Sequence, residues 1–381
     1  MDLEFYLDNA ATTPLLPESL AQARPLLEEQ FGNPSSLHPL GMHARRAIKH
    51  AREQLGMELG LPPQAVLFTG GGTESDNLAL RCVFASGRLQ GERLLISAIE
   101  HPAVLETARA LEREGVRVER IPVTAQGVID LEALQGLLTP ELRMVSCMAV
   151  NNELGTAQPL REIGRLIRDK APRAVFHVDA VQAFTKQALP WREAGIDLIT
   201  LSGHKAHGPK GVGALLRCRE LPLEPWLQGG GQEDGLRSGT ENPFAIVAFA
   251  HAVRRAAAIH RGQRQMRAAY HSLWMEELQA HPRLKPFHSG QATPFVISFR
   301  LDDVPGEVTL HHLEQEGLFV STGSACSTRK PEPSQVLLAV GMREAEALAT
   351  VRLSFSLHNT VDGLERVFPA FRKALAKLNK L

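Results

Sequence analysis

Apolar residues in the first two-thirds of the chain come in short unbroken runs, each followed by a turn and then a helical period. Residues 66–69 run into Gly70, Gly71 and Gly72 and then a helical pattern over 73–84. Residues 93–97 form the next run, followed by a helical pattern over 103–114 and further runs at 116–121, 144–150, 174–179 and 196–201. Continuous apolar runs of this length between helices predict a buried, mainly parallel sheet and an α/β fold. Ligands of such a sheet sit beyond the carboxyl ends of its strands, where Gly70, His101, Asn151, Asp179 and Lys205 all fall. The texture then changes. A long helical stretch over 243–280 leads to 295–299 and 351–355, which alternate like strands with one wet face, as in an α+β second lobe. A helix over 367–378 follows.

Composition narrows the class without identifying it. The 381 residues carry 44% hydrophobic and 22% charged side chains, as in an ordinary globular protein. Lys plus Arg equals Asp plus Glu at 42 each, so no global field draws the chain to nucleic acid or an anionic membrane. No apolar run approaches the roughly 18 residues of a membrane span. The acidic start does not resemble a signal peptide, and four cysteines without CxxC spacing fit a reducing, cytoplasmic setting.

The chemistry gathers around Lys205. This lysine ends the run at 196–201 inside a turn rich in Gly, His and Pro, while the run at 174–179 ends in the carboxylate of Asp179. A lysine that can form an imine, a carboxylate that can face a pyridinium nitrogen and small polar residues for a phosphate together describe a pyridoxal phosphate site. Gly70 to Ser75 lies between strand and helix, so its backbone can approach a phosphate, with the Thr73 hydroxyl beside it. That turn matches neither a Walker loop nor GxGxxG. Alone it is a tight βα turn; with Ser202, His204 and Lys205 at other strand ends it reads as a phosphate cradle.

Cys326 stands apart from the other thiols. Small and hydroxyl residues flank it and Arg329 and Lys330 follow, the setting of a loop thiol with a stabilised thiolate. Cys82, Cys147 and Cys218 lie in apolar patterns and read as small core residues. His204 with His207, and His311 with His312, lack partners at zinc spacing, so no metal site is predicted. His101 follows a strand and opens a helix at the ligand edge, where it can cap the helix, lie against a flat cofactor or move protons.

The ordered set of motifs resembles a cysteine desulfurase of the NifS/IscS type, within the fold-type I class of pyridoxal phosphate enzymes. The set begins with Asp8, Asn9, Ala10, Ala11 and Thr12 and with Asn33 and Pro34. It continues through Thr73 to Asn77, Glu100 and His101, Asn151 to Gly155, and His177 to Gln182. It closes with Ser202 to Lys205, Arg237 to Thr240, Gly323 to Cys326 and Arg352 to Ser354.

That resemblance implies a large cofactor-binding domain over 14–255, built on a mainly parallel seven-stranded sheet. It implies a small domain from 1–13 and 256–381 that carries the catalytic cysteine. Lys205 would hold the cofactor and then act as base at the substrate Cα. Asp179 would pair with the ring nitrogen, Gln182 with the ring oxygen, and His101 would stack on the ring and relay protons. Asn152 would orient cofactor and substrate. Gly72, Thr73, Ser202 and His204 would hold the phosphate, with Thr240 reaching over from the second subunit of a homodimer. Arg352, with Asn33 nearby, would grip the substrate carboxylate. Cys326 would take sulfur from L-cysteine as a persulfide, releasing L-alanine, for transfer to an iron–sulfur scaffold or a thiolation carrier.

Three departures from the family pattern stand out. Ser356, Leu357 and His358 follow Phe355 where many relatives have a Gly-Arg pair; Gly72 precedes Thr73 where Ala is usual; and the chain stops at Leu381, before the longer tail of housekeeping members. A selenocysteine lyase or another class V aminotransferase-like enzyme is the alternative reading, and a non-catalytic assembly subunit the third. Cys326 argues against an aminotransferase, which needs no loop thiol.

Overall fold

A computed structural model describes residues 2–322 and 332–378; Cys326 lies outside the described residues. Seven strands form the larger sheet: β1 (Val66–Thr69), β2 (Arg93–Ser97), β3 (Arg117–Ile121), β4 (Leu142–Met148), β5 (Val175–Asp179), β6 (Leu198–Ser202) and β7 (Gly213–Arg217). Their order is β1-β7-β6-β5-β4-β2-β3. Strands β3, β2, β4, β5 and β6 pair in parallel, while β7 runs antiparallel to both β6 and β1. Every residue of β2, β5 and β6 is buried, as the unbroken apolar runs require for a sheet covered on both faces. The edge strand β3 instead exposes Arg117 and Arg120, which guard it against pairing with another chain.

Strand β7 was not among the predicted elements. It starts at Gly213, directly after the turn that follows Lys205, and its five residues return antiparallel along β6. A Cβ at Gly213 would lie 2.6 Å from the Leu201 carbonyl oxygen and 2.7 Å from the Gly71 carbonyl carbon. Only glycine lets these three backbones meet, and the meeting point is the glycine turn after β1.

The second lobe holds an antiparallel sheet of β8 (Leu284–Pro286), β9 (Val296–Leu301), β10 (Ser321–Thr322) and β11 (Thr350–Ser354), in the order β10-β11-β9-β8. Its core collects Tyr270, Trp274, Phe355 and Phe371 together with Leu7 from the chain start. Tyr270 meets Phe355 edge-on at 4.9 Å and Trp274 meets Phe371 at 5.2 Å, geometries favoured by the ring quadrupoles. Leu7 N–H donates to the Phe319 carbonyl and Ser354 N–H to the Leu7 carbonyl, so the N-terminal segment is stitched into this lobe before it crosses to the large sheet.

The predicted helical stretch 243–280 is two helices, Pro243–Gly262 and Arg264–Gln279, meeting at Gln263. Gln263 caps the first and opens the second with non-helical torsions, φ −109° and ψ 15°. The break turns Arg267 inward, where its guanidinium donates to the Asn359 and Leu357 carbonyls and to Gln263 Oε1. Among the described residues no helix is long and apolar enough to cross a membrane, and no group of three or more His, Cys, Asp or Glu is placed to hold a metal ion.

Candidate active site

The carboxyl edge of the large sheet opens into a cleft of about 890 Å³, lined by the glycine turn, Thr73, Ser202, His204 and the Ala11–Thr12 backbone. Its floor is a strand–turn–helix unit. β1 ends at Thr69, Gly71 takes φ +155° and ψ −178°, a region open to glycine alone, and the helix Gly72–Ala85 begins. Thr69 and Ser75 share a 2.7 Å hydroxyl contact that ties the turn to its helix. Free N–H groups of this helix start, the Thr73 and Ser202 hydroxyls and the His204 ring form the predicted anion cradle. His204 is fixed by Thr12, whose hydroxyl lies 3.2 Å from Nδ1, and burial beside Lys205 lowers its pKa to about 4.

Lys205 ends the short turn Gly203–Lys205 after β6. Its Nζ donates to the carbonyls of Ala10 and Ala11 at 2.5 Å and 2.7 Å. Asp179, at the end of the neighbouring β5, is buried and accepts from Val181 N–H at 2.9 Å. Burial pushes Asp179 up to about 6, while that N–H and the Lys205 charge hold it down. Behind it lies Asp76, pushed well above the carboxylate range by burial and by Asp179. His177, two residues before Asp179 on the same face of β5, contacts Ser146 Oγ at 2.8 Å and Thr200 Oγ1 at 3.0 Å. Of this coupled pair, Asp179 is the carboxyl whose ionised form the Lys205 charge favours, while burial and Asp179 favour the neutral form of Asp76 behind it.

His101 performs the capping role as well as standing at the edge. Its Nδ1 accepts from Ala103 N–H at 3.1 Å at the start of the helix Pro102–Arg113, which places the ring proton on Nε2. Burial and the Lys205 charge lower its pKa to about 4, so it is a neutral Nε2–H donor at physiological pH. Gln182 Nε2 donates to the Ala10 carbonyl at 2.9 Å, the same oxygen that takes Lys205.

Arg352 comes from β11 of the second lobe and is buried. It donates to the Asn152 carbonyl at 3.0 Å and to Asp8 Oδ1 at 2.8 Å, and its Nε is buried without a hydrogen-bond partner among the described residues. The structure thus brings together Lys205, Asp179, His101, Gln182, Ser202, His204, Gly72 and Thr73, and sets Arg352 against Asn152. Asn33 and Thr240 do not line the cleft of this chain. Both are exposed, and Asn33 Oδ1 caps the Ser35 N–H at 2.9 Å. The loop before Thr240 is anchored to the cradle by Arg237, whose Nε meets Glu74 Oε1 at 2.7 Å.

Comparison with known proteins decides the family. Residues 5–367 match the model of the family described as Aminotransferase class-V. The chain belongs to that family. It is 34% identical to the cysteine desulfurase IscS of Clostridium botulinum over 100% of this chain and 96% of the relative. A solved NifS-like protein superposes with a TM-score of 0.91 at 32% identity, covering 99% of both chains. SspA, solved in complex with cysteine, superposes at 0.80 with 33% identity over 92% of this chain and 98% of that one. Class-V enzymes of this desulfurase type depend on pyridoxal phosphate. The donors here fit that cofactor: a buried carboxylate, a lysine at the adjacent strand end, and a glycine turn. A Cβ at Gly72 of that turn would press within 3.1 Å of Val181 and 3.3 Å of Ser202.

Four features of this site were not predicted. The Ala10 and Ala11 carbonyls that hold Lys205 are backbone groups and leave no side-chain signature. Asp8 pairs with Arg352 from 344 positions away. Glu153 is pushed up to about 7 by burial, beside Arg352 and Ser334. Lys186 sits beside Gln182, and the i, i+4 spacing of this pair was a readable signal. The turn between them holds Thr185 at φ +65°, a strained state for a β-branched residue, and its buried hydroxyl lacks a partner among the described residues. Thr185→Gly is expected to raise the unfolding free energy by about 1 kcal/mol, measured by urea denaturation; a loss would show that the methyl packing outweighs the strain.

Proposed function

We propose that the cleft is the active site of a cysteine desulfurase that removes sulfur from L-cysteine, releases L-alanine and leaves a persulfide on Cys326. The observation that carries this reading is the meeting of Lys205, Asp179 and His101 at one sheet edge over the glycine turn. When bound, pyridoxal phosphate supplies a carbonyl for the substrate amine and a ring that withdraws electrons from Cα. Lys205 Nζ anchors the cofactor, and, once released, takes the proton from the substrate Cα. Asp179 offers a fixed negative charge for a proton on the ring nitrogen. Gln182 serves the ring oxygen, Asn152 orients cofactor and substrate, and His101 stacks and donates through Nε2–H. Gly72, Thr73, Ser202 and His204 receive the phosphate. Arg352, already desolvated, receives the substrate carboxylate; Asn33, exposed and outside the cleft of this chain, is left out of that contact. Cys326 Sγ bonds to the substrate sulfur as the carbon–sulfur bond breaks; the electron pair stays with carbon, which gains a proton to become alanine.

The same reading makes the working unit a homodimer. Leu27, Phe31, Leu37, Leu40 and Met42 crowd exposed into one segment, with Leu37 at 83% and Phe31 at 68% exposure. Apolar side chains this dense on one surface stretch support burial against a partner. On this reading the exposed Thr240, on a loop braced to the cradle by Arg237, serves the partner's phosphate site. We assign 14–255 to a cofactor domain and 1–13 with 256–381 to a small domain, and place the enzyme in the cytoplasm. Its sulfur acceptor is an iron–sulfur scaffold or a thiolation carrier.

Mass mapping after brief exposure to L-cysteine tests the function. A reductant-labile gain of one sulfur on the Cys326 peptide, with alanine formed, is the expected result. A cofactor-loaded protein that forms alanine without sulfur on Cys326 would overturn the persulfide mechanism.

A further inference from the structure

We propose that Lys186 is a positioning residue: it holds the Gln182 amide with its nitrogen turned to the cleft, making Gln182 a hydrogen-bond donor to the cofactor's ring oxygen. The inference rests on the site reading given above. The two ends of a glutamine amide have nearly the same shape, so the groups around it decide which end faces where. Here both neighbours agree. Lys186 Nζ, which as an ammonium can only donate, lies 3.2 Å from Oε1. The Ala10 carbonyl, which can only accept, lies 2.9 Å from Nε2. The Ala10 oxygen also takes Lys205 Nζ, so the amide nitrogen stands beside the lysine that anchors the cofactor. One of its two N–H groups is used by Ala10; the other is the donor the ring oxygen needs.

The location of Lys186 is a costly one for a merely structural lysine. Its Nζ lies 5.8 Å from the centre of the Phe295 ring. On the cofactor side it feels Lys205 and Arg352, and His207 and His260 feel its charge in turn. Glu58, Arg261 and Arg264 line the small cavity on its other flank, and Glu58 there is paired with Arg261. Burial and the charges of Lys205 and Arg352 lower its pKa to about 7, so the cation is costly here, and it is the ammonium form, bonded to Gln182 Oε1, that orients the amide. The backbone is strained to bring it there: Thr185 takes φ +65° and Lys186 N–H turns back onto the Ala183 carbonyl at 3.1 Å. A strained turn that delivers a destabilised cation to one amide oxygen is the pattern of a site device rather than of core packing.

A donor at the ring oxygen weakens that oxygen's hold on the proton of the adjacent cofactor–lysine linkage, and so lowers the pH at which the proton leaves. The test is the pH midpoint of the visible absorption of the cofactor-loaded protein. Gln182→Ala and Lys186→Met are each expected to raise the midpoint, by up to about one unit, the scale of one hydrogen bond to a charged group. Lys186→Arg, which donates and cannot accept, is expected to restore the parent value. In the Gln182→Ala background Lys186→Met is expected to add nothing, because its effect runs through the amide. If Lys186→Met does not accumulate as loaded protein, Lys186→Gln carries the same reading, since it can present either end to Gln182 and is expected to raise the midpoint by less. A shift in Gln182→Ala with none in Lys186→Met overturns the inference alone, as does a Lys186→Met shift that adds fully to that of Gln182→Ala. No shift in Gln182→Ala overturns the ring-oxygen assignment beneath it.

Discussion

Lys205→Ala is expected to lower turnover of L-cysteine by at least about 10⁴-fold, since one side chain supplies both the covalent anchor and the proton acceptor at Cα. It is also expected to change the visible absorption of the loaded protein, because no amine remains to join the cofactor. Lys205→Arg keeps the positive charge but cannot form the linkage, so it should fail in the same way. Both variants should still bind the cofactor, because the phosphate cradle and Asp179 are untouched. Cys326→Ala predicts the opposite split: absorption retained, sulfide release lost. An unchanged spectrum in Lys205→Ala would remove the anchor assignment, and undiminished turnover in Cys326→Ala would remove the thiol from the reaction.

The parts of this site that were legible in the sequence are those where local chain chemistry and function coincide. A buried strand that stops at Asp179, another that stops just before Lys205, and a strand–glycine–helix unit at Gly70–Gly72 each announce themselves within a few residues. Their assembly follows from the rule that parallel strands present their carboxyl ends together. The NifS/IscS resemblance extended the set to Gln182 and Arg352, which no local pattern would have singled out, and added Thr240, which lies outside the cleft of this chain.

What stayed hidden is non-local or carried by backbone. Strand β7 hides because Gly211, Val212 and Gly213 read as the tail of a turn, and its pairing becomes visible only once β6 is in place. The Asp8–Arg352 pair joins the chain's beginning to its end. The division of the 243–280 stretch rests on two non-helical torsions at Gln263, a residue with no strong tendency to break a helix. Burial itself was legible only in part. Cys82 and Cys147 are core thiols as expected, while Cys218 is half-buried. That Asp76, Glu100 and Asp179 would sit together could not be read from three separate motifs.

That concentration of buried titratable groups predicts how the protein fails in acid. Eight buried or half-buried histidines have lowered pKa values, all chiefly from burial; in five the shift is large, with His101 and His204 at about 4, His177 and His207 about 3, and His260 about 2, while His251, His271 and His358 are lowered less. Four carboxyls are raised: Glu100 to about 8, Glu153 to about 7, Asp179 to about 6, and Asp76 well above its ordinary value. The two sets act with opposite sign. A histidine with a lowered folded pKa contributes stability above about 6.5, and loses it as pH falls, because the unfolded chain takes up the proton first. A carboxyl with a raised folded pKa gains stability as pH falls, until the unfolded carboxyl also protonates near 4. Between about pH 6 and 4.5 the cofactor-stripped protein therefore sets the five strongly shifted histidines, which favour unfolding, against four carboxyls that favour folding, and stability should change little beyond the small share of His251, His271 and His358. Below about pH 4 the carboxyl compensation ends. His177, His207 and His260, each nearly fully buried, then remain neutral in the fold and charged outside it. Between about pH 4 and 3, three protons correspond to a loss of roughly 4 kcal/mol, a large share of a typical margin of about 5–15 kcal/mol. Urea denaturation followed by circular dichroism from pH 7 to 3 should show a plateau and then a collapse. A steady decline beginning at pH 6.5 would mean that the buried carboxyls are ionised in the folded protein, and with them the assignment of Asp179 as the single charged carboxylate facing Lys205 would fall.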